Sequence, residues 1–126
     1  MDVPEDRRYT RDHEWARLED ARVRVGITHY AQDALGDVVF VKVPDADSPV
    51  DAGRAFSEVE STKSVSDVYA PVAGTVVAVN HTLADSPQAI NEDPYGEGWI
   101  AVIEPSDPAA YDFLLDAAAY RQLISE

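Results

Sequence analysis

The stretch Val59-Glu60-Ser61-Thr62-Lys63-Ser64-Val65-Ser66-Asp67-Val68 limits the possible folds more than any other part of the chain. Before its polar centre runs Ala55-Phe56-Ser57-Glu58-Val59, and after it runs Val68-Tyr69-Ala70-Pro71-Val72. Two β-prone runs meeting at a short polar segment read as a β-hairpin. Lys63 stands at its tip, and the only other lysine in the chain is Lys42. Ser61, Thr62, Ser64 and Ser66 around it are small, so its amine is reachable by a modifying enzyme. A group attached there can swing freely. A covalent cofactor needs that setting, although most lysines in polar turns are only solvated charges.

The rest of the chain is also β-rich. Ala21-Arg22-Val23-Arg24-Val25-Gly26-Ile27 alternates cleanly and pairs with the run around His13-Glu14-Trp15-Ala16-Arg17-Leu18 as a hairpin. Thr28 caps a short helix through Tyr30, Ala31, Ala34 and Leu35, and Gly36 stops it. Strands follow at Asp37-Val38-Val39-Phe40-Val41-Lys42-Val43, at Gly74-Thr75-Val76-Val77-Ala78-Val79 and at Trp99-Ile100-Ala101-Val102-Ile103-Glu104. A long loop, 80–98, separates the last two. Ser106 or Asp107, with Pro108 behind it, opens a C-terminal helix over 107–124. That helix presents Tyr111, Leu114, Leu115, Ala118 and Leu123 on one face. Residues 1–8 are polar and expected to fray, and 1–126 is expected to be one domain.

An internal echo flanks Lys63. Gly36-Asp37-Val38-Val39-Phe40-Val41 resembles Gly74-Thr75-Val76-Val77-Ala78-Val79, and Ala46-Asp47-Ser48-Pro49 recurs as Ala84-Asp85-Ser86-Pro87, both at an offset of 38 residues. Such a repeat predicts two similar sheets about a pseudo-twofold axis, joined through the Lys63 hairpin.

Charge excludes several functions. The net charge of −14 opposes binding to nucleic-acid phosphates and to anionic membranes, and suits docking to basic protein surfaces. No cysteine is present, which removes a disulfide framework and a thiol nucleophile. His13, His29 and His81 have no ligand-like spacing, so a metal site is not expected. The cytoplasm is the expected location, or the mitochondrial matrix if a leader has been removed.

Several ordered blocks together resemble the H proteins of the glycine cleavage system. They are Tyr9-Thr10-Arg11-Asp12-His13-Glu14-Trp15, Val25-Gly26-Ile27-Thr28-His29-Tyr30-Ala31-Gln32, Leu35-Gly36-Asp37-Val38-Val39-Phe40-Val41, the run from Val59 to Gly74, and Asn91-Glu92-Asp93-Pro94-Tyr95-Gly96-Glu97-Gly98-Trp99. The resemblance implies a mainly β lipoyl-domain fold, a barrel-sandwich hybrid of two small antiparallel sheets with a short helix and a C-terminal helix. It also implies lipoate amide-linked to Lys63 by lipoate-attaching enzymes. The lipoyl arm would take an aminomethyl group from glycine decarboxylase (P protein) to the aminomethyltransferase (T protein). Dihydrolipoyl dehydrogenase (L protein) would then reoxidise it. The chain itself would be a monomeric carrier and not an enzyme. Thr62 and Ser64 stand where an aliphatic residue and alanine are frequent.

Neighbouring families fit less well. A biotin carrier usually has methionines around its lysine, and Met1 is the only methionine here. A 2-oxoacid dehydrogenase lipoyl domain usually has aspartate before the lysine. An H-like protein relaying lipoate to other lipoyl enzymes stays open. Glu14 is a second candidate: an aminomethyl cargo is fragile in water, and a carboxylate in a cleft near the arm would accept a hydrogen bond from its ammonium. The bland alternative for Glu14 is a solvated strand residue.

Overall fold

The computed structural model describes residues 1–125. Nine strands form two antiparallel sheets. One sheet has six strands in the order β1 (Arg8–Tyr9), β2 (Glu14–Glu19), β3 (Arg22–Ile27), β9 (Ala101–Pro105), β8 (Gly74–Val79) and β5 (Pro49–Val50). The other has three, in the order β4 (Val38–Lys42), β6 (Ala55–Ser61) and β7 (Val65–Tyr69). Neither closes into a barrel. The alternating pattern decides what goes between them: Val41, Val59 and Val68 from the smaller sheet meet Ile27, Val76 and Ile100 in one buried cluster.

The sheets are unequal because β1, β2 and β3 extend one of them. The repeat is nevertheless visible in the packing. Its two copies, β4 and β8, lie in different sheets, and the segment after each crosses to the other. Asp47 N–H donates to Val76 O at 2.7 Å, while the 3-10 turn His81–Ala84 packs on β4. Leu83 of that turn is fully buried.

Two expectations fail at the chain ends. Residues 1–8 do not fray. Val3 and Arg7 are buried, Arg121 donates to Val3 O at 2.8 Å, and Tyr95 Oη donates to Asp2 O at 2.6 Å. The Arg7 guanidinium lies 4.7 Å from the Trp15 ring and 5.2 Å from the Tyr95 ring, so its charge is held by aromatic faces as well as by Asp6. Polar composition misled here because each polar group has a partner in the fold.

The C-terminal segment is two pieces rather than one helix. Asp107 caps a 3-10 turn, Pro108–Phe113, whose hydrogen-bonding stops at Leu114. Leu115 then exchanges backbone hydrogen bonds with Tyr9, and Asp116 caps α3 (Ala117–Ile124). The break moves the buried face to Ala117 and Tyr120 and leaves Ala118 exposed. Two short helices complete the order: α1 (His29–Leu35), and α2 (Ala89–Glu92) in the long loop.

Trp15 ties these parts together. It is fully buried, its Nε1 donates to Pro94 O at 2.9 Å, and its indole lies across Gly26 on the paired strand. A Cβ at Gly26 would sit 2.7 Å from three indole atoms. Gly26→Ala must displace Trp15 and is expected to cost about 1–3 kcal/mol. Urea unfolding checks this, with an unchanged m-value and a lower midpoint.

Candidate functional site

The lysine hairpin folds as its residues dictate. β6 ends at Ser61 and β7 begins at Val65, leaving Thr62, Lys63 and Ser64 as the tip. Ser61 is buried beneath it. Its hydroxyl accepts from Lys63 N–H at 3.2 Å and from Ser64 N–H at 3.1 Å, and its own N–H donates to Ser64 O at 2.8 Å. This serine-closed turn holds the backbone of Lys63 while the side chain stands in solvent.

The Lys63 side chain rests on α1. Its Nζ donates to Ala34 O at 3.1 Å, one of the carbonyls left unpaired at a helix C-terminus. Gly36 follows at φ 81°, a conformation that disfavours any side chain. Its N–H donates to Gln32 O and closes the helix. The other lysine, Lys42, is exposed too. What separates the two is therefore backbone setting and not solvent access: Lys42 lies within a strand opposite Glu58.

Asn91 is the residue sequence reasoning missed. Its Oδ1 accepts from Val38 N–H at 2.9 Å, and its Nδ2 donates to Gly36 O at 2.8 Å and to Gln32 Oε1 at 3.0 Å. One amide thus fixes the turn from α1 into β4, on which the Lys63 side chain lies. The only signal was its place at the head of the Asn91–Trp99 block, which gave no hint of its partner.

Glu14 is no solvated strand residue. It is 1% exposed. Thr10 Oγ1–H donates to its Oε1 at 2.6 Å, and Tyr69 N–H donates to its Oε2 at 3.1 Å. Thr10 Oγ in turn accepts from the N–H groups of Asp12 and Glu14, so that hydroxyl is fully used. Burial pushes the Glu14 carboxyl up to about 7; the Thr10 and Tyr69 donors oppose the rise without cancelling it. Next to it, His13 adopts φ 69°, and its Nδ1 lies 2.8 Å from Tyr120 Oη, tying this turn to α3.

The two candidates are not in contact. Glu14 pairs with Ile27, just before Thr28 caps α1, and Lys63 lies against the other end of the same helix. Seven helical residues span about 10 Å. The expected cleft at Glu14 is closed, because Thr10 and the Tyr69 backbone seal its carboxylate. A cleft of about 670 Å³ lies elsewhere, between Lys42, Arg54, Phe56 and the loop from Pro44 to Asp51.

Comparison with known proteins fits this geometry. A family model described as Glycine cleavage H-protein matches residues 7–126. The chain belongs to that family. The glycine cleavage system H protein of Anaeromyxobacter sp. (strain K) is 55% identical over 126 residues, covering 100% of this chain and 98% of the relative. That of Mycobacterium avium (strain 104) is 56% identical over 130 residues, covering 99% and 98%. The crystal structure of a glycine cleavage system H protein from Mycobacterium marinum superposes with a TM-score of 0.90 at 45% identity, covering 98% of this chain and 100% of that one. Members of the glycine cleavage H-protein family are the lipoyl carriers of the glycine cleavage system and are not catalytic by themselves.

The raised pKa of Glu14 fixes a sign. The folded chain holds this proton more tightly than the unfolded chain, whose value is near 4.5. The Glu14 contribution is therefore most favourable below about pH 4.5 and falls as pH rises to about 7. At about 1.36 kcal/mol per unit, the loss is on the order of 3 kcal/mol. Glu14→Gln should gain on the wild type by that amount between pH 4.5 and 7.5, read from paired urea titrations. A constant difference would show that burial does not shift this carboxyl.

Proposed function

We propose that Lys63 is the residue that carries lipoate in this chain, and that the chain serves as the aminomethyl shuttle among glycine decarboxylase, the aminomethyltransferase and dihydrolipoyl dehydrogenase. The observation that carries the reading is the Lys63 setting: an exposed amine on a serine-closed tip, held by one hydrogen bond to Ala34 O. An attaching enzyme has only that contact to displace. Acylation forms an amide at Nζ and removes its charge, so the arm has less hold on the helix carbonyl and swings from the tip. Lipoate, when attached, supplies the dithiolane that accepts the aminomethyl group and is later reoxidised.

The chain contributes placement. α1 spans the distance between the tip and Glu14, so an arm folded back along α1 brings its end towards the Thr10–Glu14–Tyr69 corner. There Glu14 accepts a hydrogen bond from the ammonium of the cargo once the Thr10 hydroxyl that seals its Oε1 turns away, and the Tyr69 N–H donor keeps its orientation. A charge-assisted contact of this kind contributes about 1.5–3 kcal/mol. We assign the shuttle to the cytoplasm of a bacterial cell, supported by bacterial relatives and by the absence, among the described residues, of a helix long and apolar enough to cross a membrane.

Lys63→Arg tests the attachment. It keeps the charge and the exposed setting, so the variant is expected to fold with an unchanged melting temperature and to show no lipoyl mass increment after expression with lipoate. A persisting increment would move the site elsewhere, with Lys42 the remaining lysine. For Glu14, the comparison is Glu14→Gln after full lipoylation. Its loaded form is expected to release formaldehyde roughly tenfold faster without the transferase, a factor equal to about 1.4 kcal/mol. Equal release rates would remove Glu14 from the shuttle.

A further inference from the structure

Strand register puts six side chains on the outward face of the three-stranded sheet. Phe40 stands opposite Glu60, and Glu60 opposite Val65; one step further from the tip, Lys42 stands opposite Glu58, and Glu58 opposite Asp67. Directly opposed residues share a face. The other face carries Val41, Val59 and Val68 into the core, so this one meets solvent. The row beside Lys63 is thus Phe40–Glu60–Val65, with Phe40 53% and Val65 59% exposed. Val39, at the bulge next to Phe40, is 49% exposed. Single exposed hydrophobes are ordinary, but Val39 and Phe40 on β4 and Val65 on β7 flank Glu60 of β6 from both sides, an apolar border to the strand that leads to the lysine.

The row behind it is electrostatically unfavourable by itself. Glu58 faces Asp67 directly, and like charges opposed across a sheet destabilise it. Among the described residues none of Glu58, Glu60, Asp67 and Lys42 forms an ion pair. The face also has relief. A depression of about 180 Å³ lies among Lys42, Phe56, Glu58 and Asp67, and Lys42, Ala55 and Phe56 continue it into the cleft of about 670 Å³.

We infer that this face seats the enzyme that loads the arm, through an apolar depression on that enzyme flanked by arginine or lysine. The occupant follows from position and charge. An enzyme that draws an arm on Lys63 into its active site must close over the tip, and the first row it meets is Phe40–Glu60–Val65. Three carboxylates against one ammonium then call for a basic surround. A second copy of this chain would bring like charges together, and a nucleic acid or an anionic membrane would repel the same carboxylates. The inference rests on the Lys63 reading.

Two double variants and one probe, the glycine decarboxylase, test it. Phe40→Thr/Val65→Thr keeps β-branched residues in the strands, and Glu58→Gln/Asp67→Asn keeps shape without charge. Direct titration of the unmodified chains against the decarboxylase gives Kd, and glycine–bicarbonate exchange with lipoylated chains gives KM and kcat. The apolar variant is expected to raise Kd and KM roughly tenfold with kcat retained, as loss of a central apolar contact does. The charge variant is expected to flatten the dependence of Kd on salt. Kd and KM within about twofold of wild type in the apolar variant, or a loss confined to kcat, overturns the inference. If wild type gains no lipoyl mass, the Lys63 reading falls instead, and the Kd comparison still decides the docking face.

Discussion

The placement of Lys63 is tied to the turn at Gly36, whose φ of 81° favours a residue without a side chain. At φ 81° and ψ −154°, this residue ends α1 through its N–H and starts the approach to β4. Its carbonyl receives the Asn91 amide from the long loop. Its bare Cα leaves room for the Lys63 stem: a Cβ there would come within 3.2 Å of Lys63 Cε and 3.6 Å of Nζ. A helix end, a strand start, a loop anchor and the Lys63 side chain thus converge on one position. The constraint is conformational first: a Cβ at 3.2 Å asks only a small shift of a flexible lysine stem, whereas φ 81° strains any side chain.

How far the sequence discloses this depends on the range of the interactions involved. The hairpin, the Thr28 cap and the Gly36 stop were readable because each follows from neighbours within a few residues. The Lys63 tip was readable for the same reason. The buried state of Glu14 was not, since it depends on Tyr69 N–H, 55 residues away. Asn91 was missed likewise: its partners Gln32, Gly36 and Val38 all lie more than 50 residues before it. At the N-terminus, polar composition suggested fraying, but Arg7 finds aromatic faces and Val3 finds a pocket only once residues 95 and 121 are in place. The C-terminal stripe failed for a different reason. Its periodicity was real, but Leu115 left the helix to pair with Tyr9, and the break reset the register.

The net charge of −14 was plain from composition, yet its distribution matters more than its size. Six of the arginines are committed within the fold: Arg7 to Asp6 and two rings, Arg8 to the Asp112 and Leu114 carbonyls, Arg17 and Arg24 to Glu19, Arg22 to Glu104, Arg121 to Glu5 and Val3. These pairs gather at the six-stranded sheet and the chain ends. The smaller sheet, which carries the lysine hairpin, leaves its outward carboxylates without such partners.

Several energetically costly features gather near α1 and the hairpin: the left-handed His13 and the buried Glu14 carboxyl at the start of β2, the Gly36 turn, the exposed Phe40 and Val65 and the facing Glu58 and Asp67; the left-handed Asp20 and Asp47 and the exposed Leu18 and Phe113 lie elsewhere. Against them stand two clusters with ordinary physics: the valine and isoleucine layer between the sheets, and the Tyr9–Trp15–Tyr120 group, where Tyr9 and Tyr120 stack at 4.6 Å. Local departures from good packing and good charge pairing persist only where the surrounding structure holds them in place. Here the second cluster does that directly. Tyr120 Oη lies 2.7 Å from Thr28 Oγ1 and 2.8 Å from His13 Nδ1, so the C-terminal helix braces both the α1 cap and the turn that positions Glu14. The N-terminal arm and α3, which look like trimmings on a lipoyl-type sandwich, act as the rigid support beneath the strained His13–Glu14 corner.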